Sequence, residues 1–491
     1  MTNLIPLCND NLQGLPADVA VPLYDRGTIT PGIVHIGLGN FHRAHQAWYT
    51  HRLMQSGIAS DWGILGAGVR PGDAVMRDRL LGQDCLTTLI ELNPGSMSAE
   101  VTGAMIDFLP VETHNAPLVA AMAQPEIRIV ALTVTEGGYY VDPATKGLNV
   151  THEDILHDVT NPDTPITAFG AMVAALKQRR DAGQPGFTGL SCDNVQGNGD
   201  ILKQAIVTLA GLSDKTLAEW IVEECSFPNS MVDCIVPATG PNEIALVEEI
   251  GISDAAPVTH ENFRQWVIED NFSAGRPEWE KVGATLTHDV HSYEAMKIRL
   301  LNGSHQILAN AGELLSVETI AECMENDMIS RLFRKVAMQE IAPQVAAVPG
   351  TDPEDYVTLI ASRFANPRIH DTTRRVAFDG SSRHVGFLLP TIHEALKADY
   401  PIDGLALVEA LWARMCAGTR DDGSVIEPND PIWDELKTTA LAAKDDPSAW
   451  LSQSLIYGDL AEKSGFVEPF SKWLNMIWER GTEAAISAYL R

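Results

Sequence analysis

Residues Ile127 to Thr135, Ile-Arg-Ile-Val-Ala-Leu-Thr-Val-Thr, form an almost unbroken apolar and β-branched run. A strand apolar on both faces must be covered on both faces, as strands of a parallel sheet are between layers of helices. The flanking sequence agrees. Strands are predicted at 32–37 and 62–69, then at 86–92, 104–109 and 186–191. Helical spacing is predicted at 44–55, 74–81, 169–180 and 201–212, the 169–180 segment as a good amphipathic helix. Short β-rich runs alternating with helical periods are the signature of an α/β fold with a parallel sheet. After about residue 288 the strand signals fade. Segments 294–314, 329–341, 354–364, 404–416 and 470–489 all carry helical spacing, which predicts a mostly α-helical C-terminal domain. A cleft between two such domains is the usual place for a ligand site.

The bulk numbers exclude several function classes. The 491 residues carry a formal net charge of −30, with 45% hydrophobic and 20% charged residues, so the composition is ordinary but the balance is strongly acidic. Phosphate backbones are bound by clustered Lys and Arg, so nucleic acid is not an expected partner. The same charge opposes an anionic membrane surface, and no apolar run of 18 residues is present to span one. The seven cysteines are irregularly spaced and include no C-x-x-C pair, which fits reduced thiols in a cytoplasmic protein. No basic segment followed by an apolar stretch opens the chain, so no signal peptide is expected. The sequence does not fix the oligomeric state, and a monomer is the expectation.

Gly37-Leu38-Gly39-Asn40-Phe41-His42 follows the first predicted strand and precedes the first helix. Two glycines there allow a tight bend and let backbone N–H groups approach a pyrophosphate. The third glycine of the full dinucleotide pattern is replaced by His42. The predicted cofactor contacts are Gly37, Gly39, Asn40 and Phe41. Asp73, after the second strand, is the candidate acid for ribose hydroxyls, and it would repel a 2′-phosphate. It is equally placed to cap the following helix. Arg70 nearby works the other way, since an arginine can accept that phosphate.

A polar group recurs on an apolar helix at Lys297, Asn302 and His305. At α-helical pitch Asn302 lies about 140° and His305 about 80° from Lys297, with an axial spread of about 12 Å. A lysine can take a proton from an alcohol if its pKa falls from ~10.4 toward 7–8, roughly 3–4 kcal/mol. Asparagine amides suit the developing oxyanion. Asn302 is one such donor. Asn194, after the 186–191 strand, is another at the carboxyl edge of the sheet.

Taken together, these residues resemble the polyol-specific long-chain dehydrogenases. The resemblance runs from about residue 30 to the end through G-L-G-N-F-H-R-A-H-Q (37–46), T-V-T-E-G-G-Y (133–139), S-C-D-N (191–194), F-P-N-S-M-V-D (227–233), F-R-Q-W-V-I-E-D (263–270), G-R-P-E-W-E-K-V-G (275–283) and M-K-I-R-L-L-N-G-S-H (296–305). It implies a Rossmann-type NAD-binding domain at 1–288 and a helical substrate and catalytic domain at 289–491, without a metal. It implies Lys297 as general base, Asn194 and Asn302 as oxyanion donors, and His305 as the residue orienting substrate hydroxyls. Glu136 would exchange protons between Lys297 and water. Asp233 and Arg383 would bind substrate, although relatives can carry Lys at the latter position. Asp73 aligns with the acid tied to NAD preference, with Gly72 where some relatives have a second acid. The 64–71 stretch and the Gly137-Gly138-Tyr139-Tyr140 run resemble members acting on mannitol. The expected reaction is D-mannitol to D-fructose, reversibly. The alternative is a fructuronate reductase or another polyol dehydrogenase, for arabinitol or sorbitol.

Three rival readings compete. Tyr293 and Lys297 spell the Y-x-x-x-K pair of short-chain dehydrogenases, but far downstream of its usual place. A zinc enzyme would need a Cys, His and Glu set that the spacing does not supply. His35, His42, His45 and His51 are expected to be turn and helix residues rather than ligands. A catalytically silent NAD sensor would have no use for the intact Lys-Asn-His set.

Overall fold

The computed structural model describes residues 4–142 and 145–491. The chain divides into two compact units, Met1–His291 and Ser292–Arg491.

The first unit is organised by a five-stranded sheet. Across it the strands run Met105–Phe108, Gly63–Ala67, Pro31–Ile36, Ile129–Leu132, Thr188–Ser191, all parallel. The chain therefore starts in the middle, builds outward to one edge, returns, and builds to the other. The reversal falls between Pro31–Ile36 and Ile129–Leu132, and open α/β sheets bind ligands outside the carboxyl ends of the strands at such a reversal. Ile129–Leu132 is buried at all four positions, as its apolar run requires. Alternate side chains enter opposite layers. Val34, Ile36, Val130 and Leu132 pack with helices Ala116–Met122, Ala168–Asp181 and Asn198–Ser213. Ile33, Ile64, Ile129, Ala131 and Leu190 pack on the other face with Leu53, Trp266 and Trp279.

Several elements differ from the sequence expectation. Thr87–Leu92 is a strand, but it leaves the main sheet. It pairs antiparallel with Met97–Thr102 and parallel with Val258–Glu261 in a second sheet. Met97–Thr102 reads Met-Ser-Ala-Glu-Val-Thr and is half exposed, so its pattern carries no strong strand signal. A third sheet joins Ser230–Asp233, Gln265–Glu269 and Thr285–Thr287. The helix expected at 44–55 is two helices, Asn40–Ala44 and Gln46–Gln55. They break at His45, whose backbone turns to φ −120°, ψ −96° and whose ring packs between Phe41 and Trp266. Ala168–Asp181 is not simply amphipathic. It is buried all round through Leu176, because helices flank it as well as the sheet.

The second unit is helical throughout its main elements. Its most enclosed helix, Asp403–Cys416, is buried at every residue after the first. The helix expected at 470–489 is two, Ser464–Arg480 and Thr482–Leu490, separated by Gly481 at φ +85°. Among the described residues no helix is long and apolar enough to cross a membrane.

Candidate active site

The glycine turn sits at the reversal of the first sheet. Gly37 has φ +91°, and a Cβ there would lie 2.1 Å from the Thr133 carbonyl oxygen. Only glycine makes this bend, for both conformational and steric reasons. Gly39 is ordinary extended backbone, yet a Cβ there would meet nothing within 4 Å. Thr133, at the end of the neighbouring strand, donates its hydroxyl to the Gly37 carbonyl at 2.5 Å. His35 Nε2 lies 3.0 Å from the same hydroxyl oxygen. Its Nδ1 lies 2.7 Å from Gln46 Oε1, so the ring is held from both sides.

The side chain of Asn40 is structural. Its amide donates to the Pro237 carbonyl and the Thr239 hydroxyl, both at 2.9 Å, and accepts from Arg43 Nη2 at 2.7 Å. Arg43 is buried, donates to the Ala256 carbonyl, and reaches the Gly39 carbonyl at 3.4 Å. This arginine braces the turn from behind, a role the sequence reading missed. Phe41 stacks on His45 with ring centroids 4.8 Å apart. His42, in place of a third glycine, is buried and stacked on His35 at 3.5 Å. Burial, then the neighbouring His35, holds its pKa well below the ordinary value, so it is neutral.

Asp73 opens the helix Asp73–Leu81, and its Oδ2 accepts the Arg70 N–H at 2.9 Å. It therefore fixes the loop after the second strand. Gly68 makes room for it, because a Cβ there would lie 2.3 Å from Asp73 Cβ.

At the neighbouring strand ends, Glu136 starts a short 3-10 turn, Glu136–Tyr139, and is exposed. Asn194 is exposed beyond Thr188–Ser191, and Asp233 ends its strand in a buried position. Between them lies Asp193, which the sequence reading did not single out. Its carboxylate accepts the Val134 and Thr135 N–H groups at 3.0 and 2.9 Å and the Tyr139 hydroxyl at 2.8 Å.

In the second unit, Lys297 is 7% exposed. The segment Lys297–Asn302 is a π-helix between the α-helices Val290–Met296 and Gly303–Leu314. This corrects the α-helical angles assumed from sequence. With i→i+5 bonding the turn widens, so Asn302 stands one turn above Lys297 instead of about 140° around the axis. Arg299, inside the π segment, pairs its guanidinium with both Glu394 carboxylate oxygens and donates to the Gln344 carbonyl. One turn further, His305 stacks on Phe364 at 4.2 Å, and its Nε2 is buried without a hydrogen-bond partner. Burial lowers its pKa to about 4, opposed by Asp371. A neutral imidazole with an open nitrogen suits a neutral hydroxyl. Arg383 lies on helix Gly380–Phe387 and donates to the Val376 carbonyl at 2.5 Å, so part of its guanidinium serves the backbone.

Tyr293 donates to the Pro349 carbonyl at 3.3 Å. Among the described residues no three His, Cys, Asp or Glu side chains converge to hold a metal ion.

The order of the five parallel strands, with the glycine bend at its reversal, makes this a Rossmann-type α/β protein with a helical second unit. The model of the mannitol dehydrogenase Rossmann domain matches residues 31–281, and that of the mannitol dehydrogenase C-terminal domain matches 289–478. A mannitol 2-dehydrogenase of Cereibacter sphaeroides is 52% identical over 472 residues, covering 96% of this chain and 99% of that one. Two solved structures are also similar. The Pseudomonas fluorescens mannitol 2-dehydrogenase, in a ternary complex with NAD and D-mannitol, is 38% identical with a TM-score of 0.87 over 99% of both chains. A D-sorbitol dehydrogenase in substrate-free form is 33% identical with a TM-score of 0.91, over 98% of this chain and all of that one. The chain belongs to the mannitol dehydrogenase family.

Proposed function

We propose that the chain is an NAD-dependent polyol dehydrogenase that interconverts D-mannitol and D-fructose without a metal. The observation that carries this reading is the 52% identity to a mannitol 2-dehydrogenase along nearly the whole of both chains. In this reading the N-terminal domain, 1–288, binds NAD and the helical domain, 289–491, carries the base.

The turn fits the cofactor. Gly37 makes the bend, and the open face of Gly39 leaves room for phosphates to approach the backbone. Asn40 and Phe41 contribute through their backbone, and Asp73 through a carboxylate oxygen to the ribose. Bound NAD supplies the acceptor for the hydride that leaves the carbinol carbon.

The chain's own residues handle the proton and the charge. Lys297, neutral, takes the hydroxyl proton. Asn194 and Asn302 donate to the oxygen as negative charge grows on it. The π turn supports that role, because it brings Asn302 over Lys297. His305 orients the neighbouring hydroxyls through its open Nε2, and Asp233 and Arg383 hold the rest of the polyol. Glu136 returns the proton from Lys297 to water. Because Lys297 must be uncharged, oxidation accelerates as pH rises from 6 toward 10, and a flat profile counts against the assignment.

A second reading, sorbitol as preferred substrate, draws on the TM-score of 0.91 to the D-sorbitol dehydrogenase. A kinetic panel of mannitol, sorbitol, arabinitol, fructose and fructuronate with both NAD and NADP forms decides. Mannitol with NAD should give a kcat/KM at least about tenfold above the other polyols, the scale of one well-placed contact. Sorbitol or fructuronate leading by that margin overturns the mannitol reading. We further propose a cytoplasmic monomer. The free, largely buried cysteines support a reducing compartment, and a solution mass near 53.3 kDa is the check on the monomer.

A further inference from the structure

Glu136, Asn194 and Asp233 sit on three segments far apart in sequence, and one buried knot ties those segments together. Asn198 donates to the Asp193 carbonyl at 3.0 Å and the Ser230 carbonyl at 2.8 Å, and accepts the Ser230 N–H at 2.9 Å. Ser230 donates its hydroxyl to the Ser191 carbonyl at 2.6 Å. The strand that ends at Asp233 is thus locked to the turn that bears Asn194.

Asp193 locks that turn to the third segment. An ionised carboxylate only accepts, so Tyr139 must donate to it. Ser191 must then donate to the Tyr139 oxygen, 2.5 Å away, and its own oxygen receives the Asp193 N–H at 3.3 Å. The proton directions close into a ring: Asp193 to Ser191, Ser191 to Tyr139, Tyr139 to Asp193. Asp193 is 7% exposed, and burial raises its pKa while the three donors pull it back.

The other carboxylate contacts fall on the entry to the Glu136 turn. Thr135 has φ +65° and ψ 168°, a conformation that β-branched residues avoid and hold only when their surroundings impose it. The imposing contact is Asp193 Oδ1 on the Thr135 N–H. Tyr139, at the far end of the same turn, is held by Oδ2. One carboxylate therefore grips both ends of the segment that carries Glu136.

We propose that Asp193 is a positioning residue for proton exchange: it sets Glu136 in place against the Asn194 turn. The proposal rests on the reading of Glu136 as the residue that returns the proton to water. An asparagine at 193 would turn an NH2 group toward at least one of three donors, so the grip should fail although the size is kept.

The test is a double-variant cycle on kcat for polyol oxidation across pH, using Asp193→Asn, Glu136→Ala and the pair. Asp193→Asn should lower kcat about 10- to 100-fold, the cost of a displaced catalytic group, and should distort the pH profile as Glu136→Ala does. NADH affinity should stay within about twofold. In the Glu136→Ala background the further loss should shrink to within about threefold, because both changes act through one group. Losses that multiply in the pair, or wild-type kcat in Asp193→Asn, overturn the proposal. Wild-type kcat in Glu136→Ala instead removes its premise and the proposal with it. Tyr139→Phe, which deletes one donor and keeps the ring, should show a smaller loss absorbed in the same way. It decides the matter if Asp193→Asn does not fold.

Discussion

At the scale of single residues, the two glycines of the first turn separate architecture from binding. Gly37→Ala adds a methyl against a backbone carbonyl at a positive φ. It should destabilise the first unit by more than about 1 kcal/mol, the cost of strain at such a position. Gly39→Ala places its methyl in open space, so thermal unfolding of the unliganded chain should barely change. If phosphates use that space, NADH affinity should still fall at least about tenfold, since the backbone approach is blocked. Fluorescence titration and thermal melts on both variants check the pair, and unchanged NADH binding in Gly39→Ala would place the cofactor elsewhere. Lys297→Ala should lower kcat by about 10²–10⁴, the usual worth of general acid–base help, with NADH titration unaltered. Near-normal turnover would reassign the base. Lys297, Asn302 and His305 stood out in the sequence because polar side chains on an otherwise apolar helix demand a reason, and the structure places them along one continuous helical run. Asp193, Tyr139 and Arg43 did not, although each lies inside one of the motifs. Asp193 and Arg43 hold backbone and Tyr139 holds Asp193, and a residue type does not announce which group it will meet.

Among the elements, the π segment Lys297–Asn302 is the feature with the sharpest consequence. A π turn is an α-helix with one residue too many. Deleting Ile298 should return the helix to α pitch with Lys297 and Asn302 four residues, about 40°, apart, so the two stay one above the other. Turnover should then fall by less than about tenfold, with helical circular dichroism and NADH binding intact. A collapse of turnover by about 10²-fold, as for misplaced catalytic groups, would show that the site needs the wide turn itself and not only this alignment. Nothing in Lys-Ile-Arg-Leu-Leu-Asn distinguishes a π turn from an α turn. Tertiary context overrides local pattern in such cases, and Arg299 inside the turn is tied to Glu394, 95 residues away, beyond the reach of a periodicity reading. The strands of the main sheet were legible for the opposite reason. Ile129–Leu132 is apolar at every position, and only a doubly covered strand can use it. Val258–Glu261 and Ser230–Asp233 bury threonine, histidine, serine and acids, of which Ser230 and Glu261 bond to Ser191 and Ile235, and neither pattern declared itself.

At the scale of the whole molecule, the buried neutral histidines set how the protein answers acid. His35 and His260 are held at about 3 in the first unit and His305 at about 4 in the second, each chiefly by burial. Folded values lie below the ordinary 6.5, so between pH 6.5 and about 4 the unfolded chain binds more protons. Stability from these groups is complete above that window and is lost as pH falls through it, by up to about 1.4 kcal/mol per pH unit per histidine. Melts between pH 7.5 and 5.5 should show a falling midpoint, and a flat or rising one would contradict the burial of these rings. The first unit, with His35, His42 and His260, should give way before the second. The sulfur atoms offer a way to watch. Cys85, Cys192, Cys225 and Cys234 are shut inside one unit, Cys323 and Cys416 inside the other, and Cys8 alone is partly accessible. A brief pulse of thiol reagent would mark Cys8 in the closed chain, and the remaining sites only as each compartment breathes. The order in which the modified peptides accumulate is then a record, written by the chain itself, of which half opens first.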